Sequence, residues 1–237
     1  AAAYTAVDKA ESDSAAARTI NADAVAVLAR EALALGAWLV HYSTDYVFNG
    51  GGSQPWREDD ATGPLSVYGQ TKLEGEQAIA RSGAKHLVFR TSWVYAARGG
   101  NFAKTMLRLA QEREQLAVID DQWGAPTGAE LIADVTAQAL RGAMASEEDL
   151  SGIYHLVAAG ETTWNRYAQF VLEQAKQINP ALNLRAREVR AVETAAFPTP
   201  ARRPNNSRLN TEKLQQRFSL ALPQWQAGVQ RMLQEIL

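Results

Sequence analysis

The stretch Ala37-Trp38-Leu39-Val40-His41-Tyr42, running straight into Ser43-Thr44-Asp45, decides the fold. A mostly apolar run ending in three short polar residues reads as a buried strand whose carboxyl end opens onto a polar edge. Upstream, Asp8 to Leu35 is rich in alanine, with Ala15, Ile20, Val25 and Leu28 at helix-compatible spacing and Asn21 as a polar residue among apolar ones. Gly36 closes that helix. Downstream, residues 43–63 read as loop, with Gly50-Gly51-Gly52, Pro55 and the acidic Glu58, Asp59 and Asp60.

The same alternation continues. A helix is expected from Ser66 to Ser82, then a strand from His86 to Arg90 and a loop from Thr91 to Gly100. A helix from Asn101 to Glu112, a strand from Leu116 to Ile119 and a turn from Gly124 to Gly128 follow. A helix from Ala129 to Ala145 leads to a strand from Gly152 to Val157. Helices alternating with apolar strands indicate an α/β fold with a parallel, doubly wound sheet and crossover helices. After Gly160 the pattern changes to a helix from Thr163 to Gln177, a strand near Leu184 to Val189, a proline- and arginine-rich segment from Phe197 to Asn206, and helices beginning near Asn210 and Pro223. The expected division is 1–158 for the sheet domain and 159–237 for a smaller substrate lobe, with loops near 93–100 and 121–128 joining the site.

Composition narrows the function. Among 237 residues, 46% are hydrophobic and 21% charged, as in ordinary globular proteins. A net charge of −2 offers no basic field for a nucleic acid polymer. No apolar run approaches the ~20 residues of a membrane span. The absence of cysteine excludes thiolate nucleophiles, disulfides and cysteine-ligated zinc. His41, His86 and His155 are scattered and read as ordinary strand residues.

The chemistry concentrates in Tyr68-Gly69-Gln70-Thr71-Lys72. Residues four apart share a helix face. An ammonium beside a phenol favours the phenolate, and lowering the tyrosine pKa makes it a proton donor or base for carbonyl and alcohol chemistry. Ligands of doubly wound sheets sit at the carboxyl ends of strands. Ser43-Thr44-Asp45 follows one expected strand, Thr91-Ser92-Trp93 follows the next, and Tyr68 and Lys72 lie between them.

These segments resemble the extended short-chain dehydrogenase/reductases that act on nucleotide sugars. The finer resemblance is to the dTDP-4-dehydrorhamnose reductase family. It rests on Tyr4-Thr5-Ala6-Val7-Asp8-Lys9-Ala10-Glu11, His41-Tyr42-Ser43-Thr44-Asp45-Tyr46-Val47-Phe48, Tyr68-Gly69-Gln70-Thr71-Lys72, Arg90-Thr91-Ser92-Trp93-Val94-Tyr95, Asn101-Phe102-Ala103-Lys104-Thr105-Met106, Asp121-Gln122-Trp123-Gly124-Ala125-Pro126-Thr127 and Arg203-Pro204-Asn205-Asn206-Ser207-Arg208-Leu209.

The resemblance implies a cytoplasmic enzyme that uses NADPH or NADH to reduce the C4 ketone of a dTDP-hexulose. In it, Tyr68 donates the proton, Lys72 holds the nicotinamide ribose and depresses the Tyr68 pKa, and Thr44 binds the substrate oxygen. It further implies that Ala3, Tyr4, Thr5 and Ser43 line the cofactor, and that Asp45 and Trp93 contact the sugar nucleotide. Asn101 and Met106 would shape the nucleotide pocket, and Arg202 and Arg203 suit a diphosphate. Each also has a plainer role that weighs against it: a turn for Thr44 and Asp45, core packing for Trp93, a helix N-cap for Asn101. Glu130 and Asp134 mark a region where some relatives carry Mg2+ at a homodimer contact. Acids in a first helical turn are favourable without any metal.

Relatives begin with a strand and a Gly-rich turn for the cofactor pyrophosphate. Gly50-Gly51-Gly52 leads into Ser53, Gln54 and Pro55 rather than a helix, and Ala1-Ala2-Ala3 resembles the end of the fourth strand. Roughly 60 residues, about two βα units, are therefore expected upstream, and the chain as given is expected to bind cofactor poorly. Two other readings compete: an epimerase or dehydratase of the same superfamily, and a non-catalytic subunit resembling the regulatory subunit of methionine adenosyltransferase. Dehydratases generally add an acidic pair beside the threonine, whereas Thr44 is followed by the single acid Asp45 and then Tyr46.

Overall fold

The computed structural model describes residues 2–237. Ala1, part of the expected strand end, lies outside the described residues. Residues 2–6 form no strand; the Tyr4 backbone instead satisfies its N–H and carbonyl on the Asn21 side chain, at 2.9 and 3.1 Å. Two compact units are formed, each from three segments. The first comprises Ala1–Thr91, Val135–Leu156 and Thr199–Leu220; the second comprises Ser92–Asp134, Val157–Pro198 and Ala221–Leu237.

The first unit is built on a parallel sheet in the order β1 (Leu39–Thr44), β2 (His86–Thr91), β7 (Gly152–His155). Its register pairs Tyr42 with Phe89 and Phe89 with Tyr154, so these aromatics form a row on one face, where the Tyr42 hydroxyl meets Thr136 at 3.0 Å. The other face carries His41, Ser43, Val88 and Arg90 toward α3 (Ala24–Leu35) and α4 (Val67–Ser82). Val25, Ala29, Ile79 and Val88 form the apolar seam there.

The single helix expected over 8–35 is interrupted. It divides into α1 (Val7–Ala10), α2 (Ser14–Arg18), a π turn (Thr19–Asp23) and α3. The break falls at Ser12 and Asp13, whose N–H groups both turn back to the Lys9 carbonyl together with the Ser12 hydroxyl. Short polar side chains compete with the helix for its own carbonyls. β1 begins and ends two residues later than expected. The Ala37 N–H still closes α3 on the Ala32 carbonyl, and the ladder with β2 continues through Thr44.

In the second unit β4 (Gln115–Ile119) pairs in parallel with β9 (Glu188–Val192), beside α5 (Phe102–Glu112), α7 (Trp164–Ile178) and α9 (Trp225–Ile236). Leu107, Tyr167, Val171, Trp225 and Leu233 are buried in its core. β9 starts four residues beyond the expected position. The N–H groups of Arg185 and Ala186 cap α5 on the Ala110 carbonyl, so the ladder opens only at Glu188, opposite Gln115. Short ladders join β3 (Val94–Tyr95) to β6 (Thr127–Gly128) and β5 (Trp123–Gly124) to β8 (Thr162–Thr163). Among the described residues no helix is long and apolar enough to cross a membrane.

Candidate active site

Two local structures place the chemistry in the first unit. At the end of β1, Asp45–Val47 make one tight 3-10 turn, and the Thr44 hydroxyl accepts the Tyr46 N–H at 3.2 Å while donating to Asp45 Oδ1 at 3.1 Å. At the start of α4, Ser66 caps the helix by accepting the Gly69 N–H at 3.2 Å. Gly69 has no room for a side chain, because a methyl there would overlap the Tyr46 carbonyl oxygen. Gly75, further along α4, abuts the Asn21 carbonyl in the same way. Tyr68 packs edge-on against Tyr46, with ring centroids 5.6 Å apart.

Charge is held here at some cost. Burial raises the Tyr68 pKa to about 12, with the Thr44 hydroxyl opposing the shift. Lys72 falls to about 8, chiefly from burial, with Glu76 opposing. The expected pairing of Lys72 with the Tyr68 hydroxyl is not what the structure shows. Lys72 Nζ donates to the Tyr42 carbonyl at 2.6 Å and meets His41 Nε2 at 3.2 Å, so no nearby ammonium lowers the phenol. Tyr68 is therefore a neutral proton holder rather than a phenolate. Asp45 rises to about 6, again through burial, offset by hydrogen bonds from Ser207, Thr44 and its own backbone.

Beneath these residues lies a buried ion pair. Arg90 donates to Glu76 at 2.7 Å, stands over the Phe48 ring and reaches the Glu58 carbonyl. The Glu58 carboxylate takes the His155 N–H at the sheet edge. Asn21 connects the Tyr4 segment to α4 by donating to Thr71, whose hydroxyl donates to the Tyr68 carbonyl. The only sequence signal for Asn21 was its polarity in an apolar run. His41 and the Arg90–Glu76 pair gave no such signal.

The remaining candidates fall as follows. Ala3 and Thr5 are exposed beside half-buried Tyr4. Arg203 is engaged by Asp8 at 2.6 Å and approaches the Tyr46 hydroxyl, while Arg202 is exposed. The Gly50–Gly52 loop is tied down by Asn206, which donates to the Gly51 and Gln54 carbonyls, so those glycines serve a packed turn rather than a phosphate cradle. In the second unit, Trp93 adopts a positive φ of 49° and stacks on Trp164 at 3.6 Å, partly exposed. Asn101 caps α5 by accepting the Lys104 N–H and donating to the Ala96 carbonyl, and Met106 is buried in the core. Glu130 pairs with Arg231 at 3.1 Å, and no cluster of three or more metal-binding side chains occurs among the described residues.

A hydroxyl-rich cofactor fits the groups present. The hydroxyls of Ser43 and Thr91, at the carboxyl ends of β1 and β2, are buried with no hydrogen-bond partner among the described residues. Ser43 follows the Tyr42 carbonyl that holds Lys72, whose third N–H is uncommitted. Polar atoms so expensive to bury unpaired belong where a ligand completes them.

Comparison with known proteins follows the same lines. A family model described as the RmlD substrate binding domain matches residues 1–237. A dTDP-4-dehydrorhamnose reductase of Escherichia coli is 62% identical over 236 residues, covering 100% of this chain and 78% of the relative. One from Shigella flexneri is 61% identical over the same coverage. The crystal structure of a Clostridium acetobutylicum dTDP-4-dehydrorhamnose reductase superposes with a TM-score of 0.89 at 32% identity, covering 99% of this chain and 78% of that one. A Bacillus anthracis dTDP-4-dehydrorhamnose reductase, in complex with NADP, gives 0.86 at 34% identity, covering 98% and 78%. With sequence and architecture matched from one end to the other, this chain belongs to the dTDP-4-dehydrorhamnose reductase family.

Proposed function

We propose that this chain carries the catalytic residues of an NAD(P)H-dependent reductase acting on the C4 ketone of dTDP-4-dehydro-6-deoxy-L-mannose (dTDP-6-deoxy-L-lyxo-4-hexulose), giving dTDP-L-rhamnose. The observation that carries the reading is the grouping of Thr44, Tyr68 and Lys72 where β1 meets α4, in a chain 62% identical to a reductase of that name. The chemistry supplied by a bound nicotinamide is the hydride.

Tyr68 holds the proton. With a pKa near 12 it stays a neutral phenol at physiological pH, yet it remains far more acidic than the alcohol being formed. It gives that proton to the carbonyl oxygen as negative charge develops there. Thr44 would contact the same oxygen, exchanging its bond to Asp45 for one to the substrate. Lys72 would hold the ribose, with Ser43, Ala3, Tyr4 and Thr5 lining the cofactor. Asp45, Trp93, Asn101 and Arg202 are the proposed sugar-nucleotide contacts, Trp93 offering a partly exposed indole already backed by Trp164. The same reading includes a homodimer and a cytoplasmic location, the first tested by light scattering and the second by fractionation.

The function is tested by NADPH oxidation in the complete protein with freshly generated ketone substrate. Turnover is expected, and Tyr68→Phe should lower kcat by about 10²–10⁴ while cofactor binding persists. Near-normal turnover in that variant removes Tyr68 from the mechanism. No turnover in a folded, cofactor-bound wild type moves the reading to an epimerase or a regulatory subunit.

A further inference from the structure

Two of the three N–H groups of Lys72 are accounted for by the protein. One goes to the Tyr42 carbonyl at 2.6 Å, and one meets His41 Nε2 at 3.2 Å. An ammonium has no lone pair, so Nε2 accepts, and the His41 proton resides on Nδ1. This geometry requires a neutral imidazole, since a protonated ring would set like charges together. Burial and the Lys72 charge both hold His41 down, to about 3.

We propose that His41 is a positioning residue for Lys72: together with the Tyr42 carbonyl it anchors the ammonium so that the single remaining N–H is presented to the cofactor ribose. The inference rests on the ribose-binding role proposed for Lys72. A backbone acceptor survives substitution at position 42, which leaves His41 as the one side chain in the anchor. The other charged groups nearby are committed. Glu76 of α4 acts on Lys72 but is bonded to Arg90 of β2. Tyr68 of α4 is neutral, and Arg30 and Glu31 of α3 pair with each other at the surface.

The test compares His41→Leu, His41→Gln and Lys72→Met in the complete protein. It reads NADPH affinity by fluorescence titration in the absence of sugar nucleotide, which is expected to weaken in parallel with KM, together with the KM for NADPH, kcat, and the alkaline limb of the pH–rate profile. Lys72, titrating near 8, would set that limb. Removing an acceptor favours the neutral amine, so the limb moves to lower pH. His41→Leu is expected to raise the NADPH KM about tenfold and shift the limb down by about one unit, with kcat less affected. His41→Gln keeps an accepting oxygen and is expected to restore most of both.

Unchanged KM and limb in His41→Leu, while Lys72→Met loses turnover, overturns the proposal and leaves the role of Lys72 intact. Full turnover in Lys72→Met overturns both. Should His41→Leu not fold, His41→Asn replaces it, with an amide too short to reach Nζ. A defect in His41→Asn that His41→Gln lacks supports the anchor, and equal behaviour of the two overturns it.

Discussion

Gly69 and the carbonyl of Tyr46 are in direct contact, with no space for even a β-carbon between them. This one approach brings the first turn of α4 against the turn that follows β1, and so fixes Tyr68 relative to Thr44. The glycine inside Tyr68-Gly69-Gln70-Thr71-Lys72 is therefore a packing requirement, since the helix itself would prefer alanine by about 1 kcal/mol. Gly69→Ala is expected to destabilise the protein by roughly 2–3 kcal/mol despite that gain and to lower kcat more than tenfold. Urea unfolding and steady-state kinetics check both; a neutral variant would mean the two turns can separate freely.

Arg90 and Glu76 are both almost fully buried, at 3% and 2% side-chain exposure, so neither has water to replace a lost partner. Breaking such a pair from one side leaves a naked charge and costs about 3–5 kcal/mol. Glu76→Gln is expected to lose that much by chemical denaturation. The double change Glu76→Gln with Arg90→Met should recover part of the loss, because no charge is then stranded. Equal stability of the single variant and wild type would show that the site admits water.

Asp45 gives a pH signature of its own. Its folded pKa of about 6 lies above the ordinary 3.8, so the unfolded chain loses the proton first. Stability from this group is therefore full below about 4 and falls as pH rises through 6, a loss of roughly 3 kcal/mol at most. Asp45→Asn should raise the melting temperature at pH 8 and not at pH 4. The variant should also weaken sugar-nucleotide binding. A melting temperature equally changed at both pH values would detach the effect from ionisation.

His155 acts in the opposite direction. It is completely buried beside Arg90, and burial followed by the Arg90 charge holds it down to about 3. A base depressed in the folded state binds its proton first in the unfolded chain, so stability is present above 6.5 and declines as pH falls toward 3. His41 contributes with the same sign. His155→Phe should flatten the dependence of stability on pH between 6.5 and 3, measured by urea midpoints at half-unit steps. An unaltered slope would assign the acid sensitivity elsewhere.

The sequence by itself determined the elements and the chemistry they carry. Apolar runs ending in Ser43-Thr44-Asp45 and in Arg90-Thr91 read as buried strands, and the i, i+4 spacing of Tyr68 and Lys72 is a property of any helix. These are local signals, set by periodicity, and the parallel sheet followed from their alternation. The N-cap role of Asn101 is equally local. What the tertiary structure decided was where each polar atom finds its partner. Lys72 was expected beside the Tyr68 hydroxyl and instead bonds a strand carbonyl and His41, 30 and 31 residues away in the chain. The late start of β9 and the buried Arg90–Glu76 pair are of the same kind. Each depends on which distant group satisfies a backbone N–H or a charge, and no periodicity within a short window encodes that. The Tyr68 pKa shows the consequence: spacing alone suggested a phenolate, whereas burial and the diversion of Lys72 make it a retained proton.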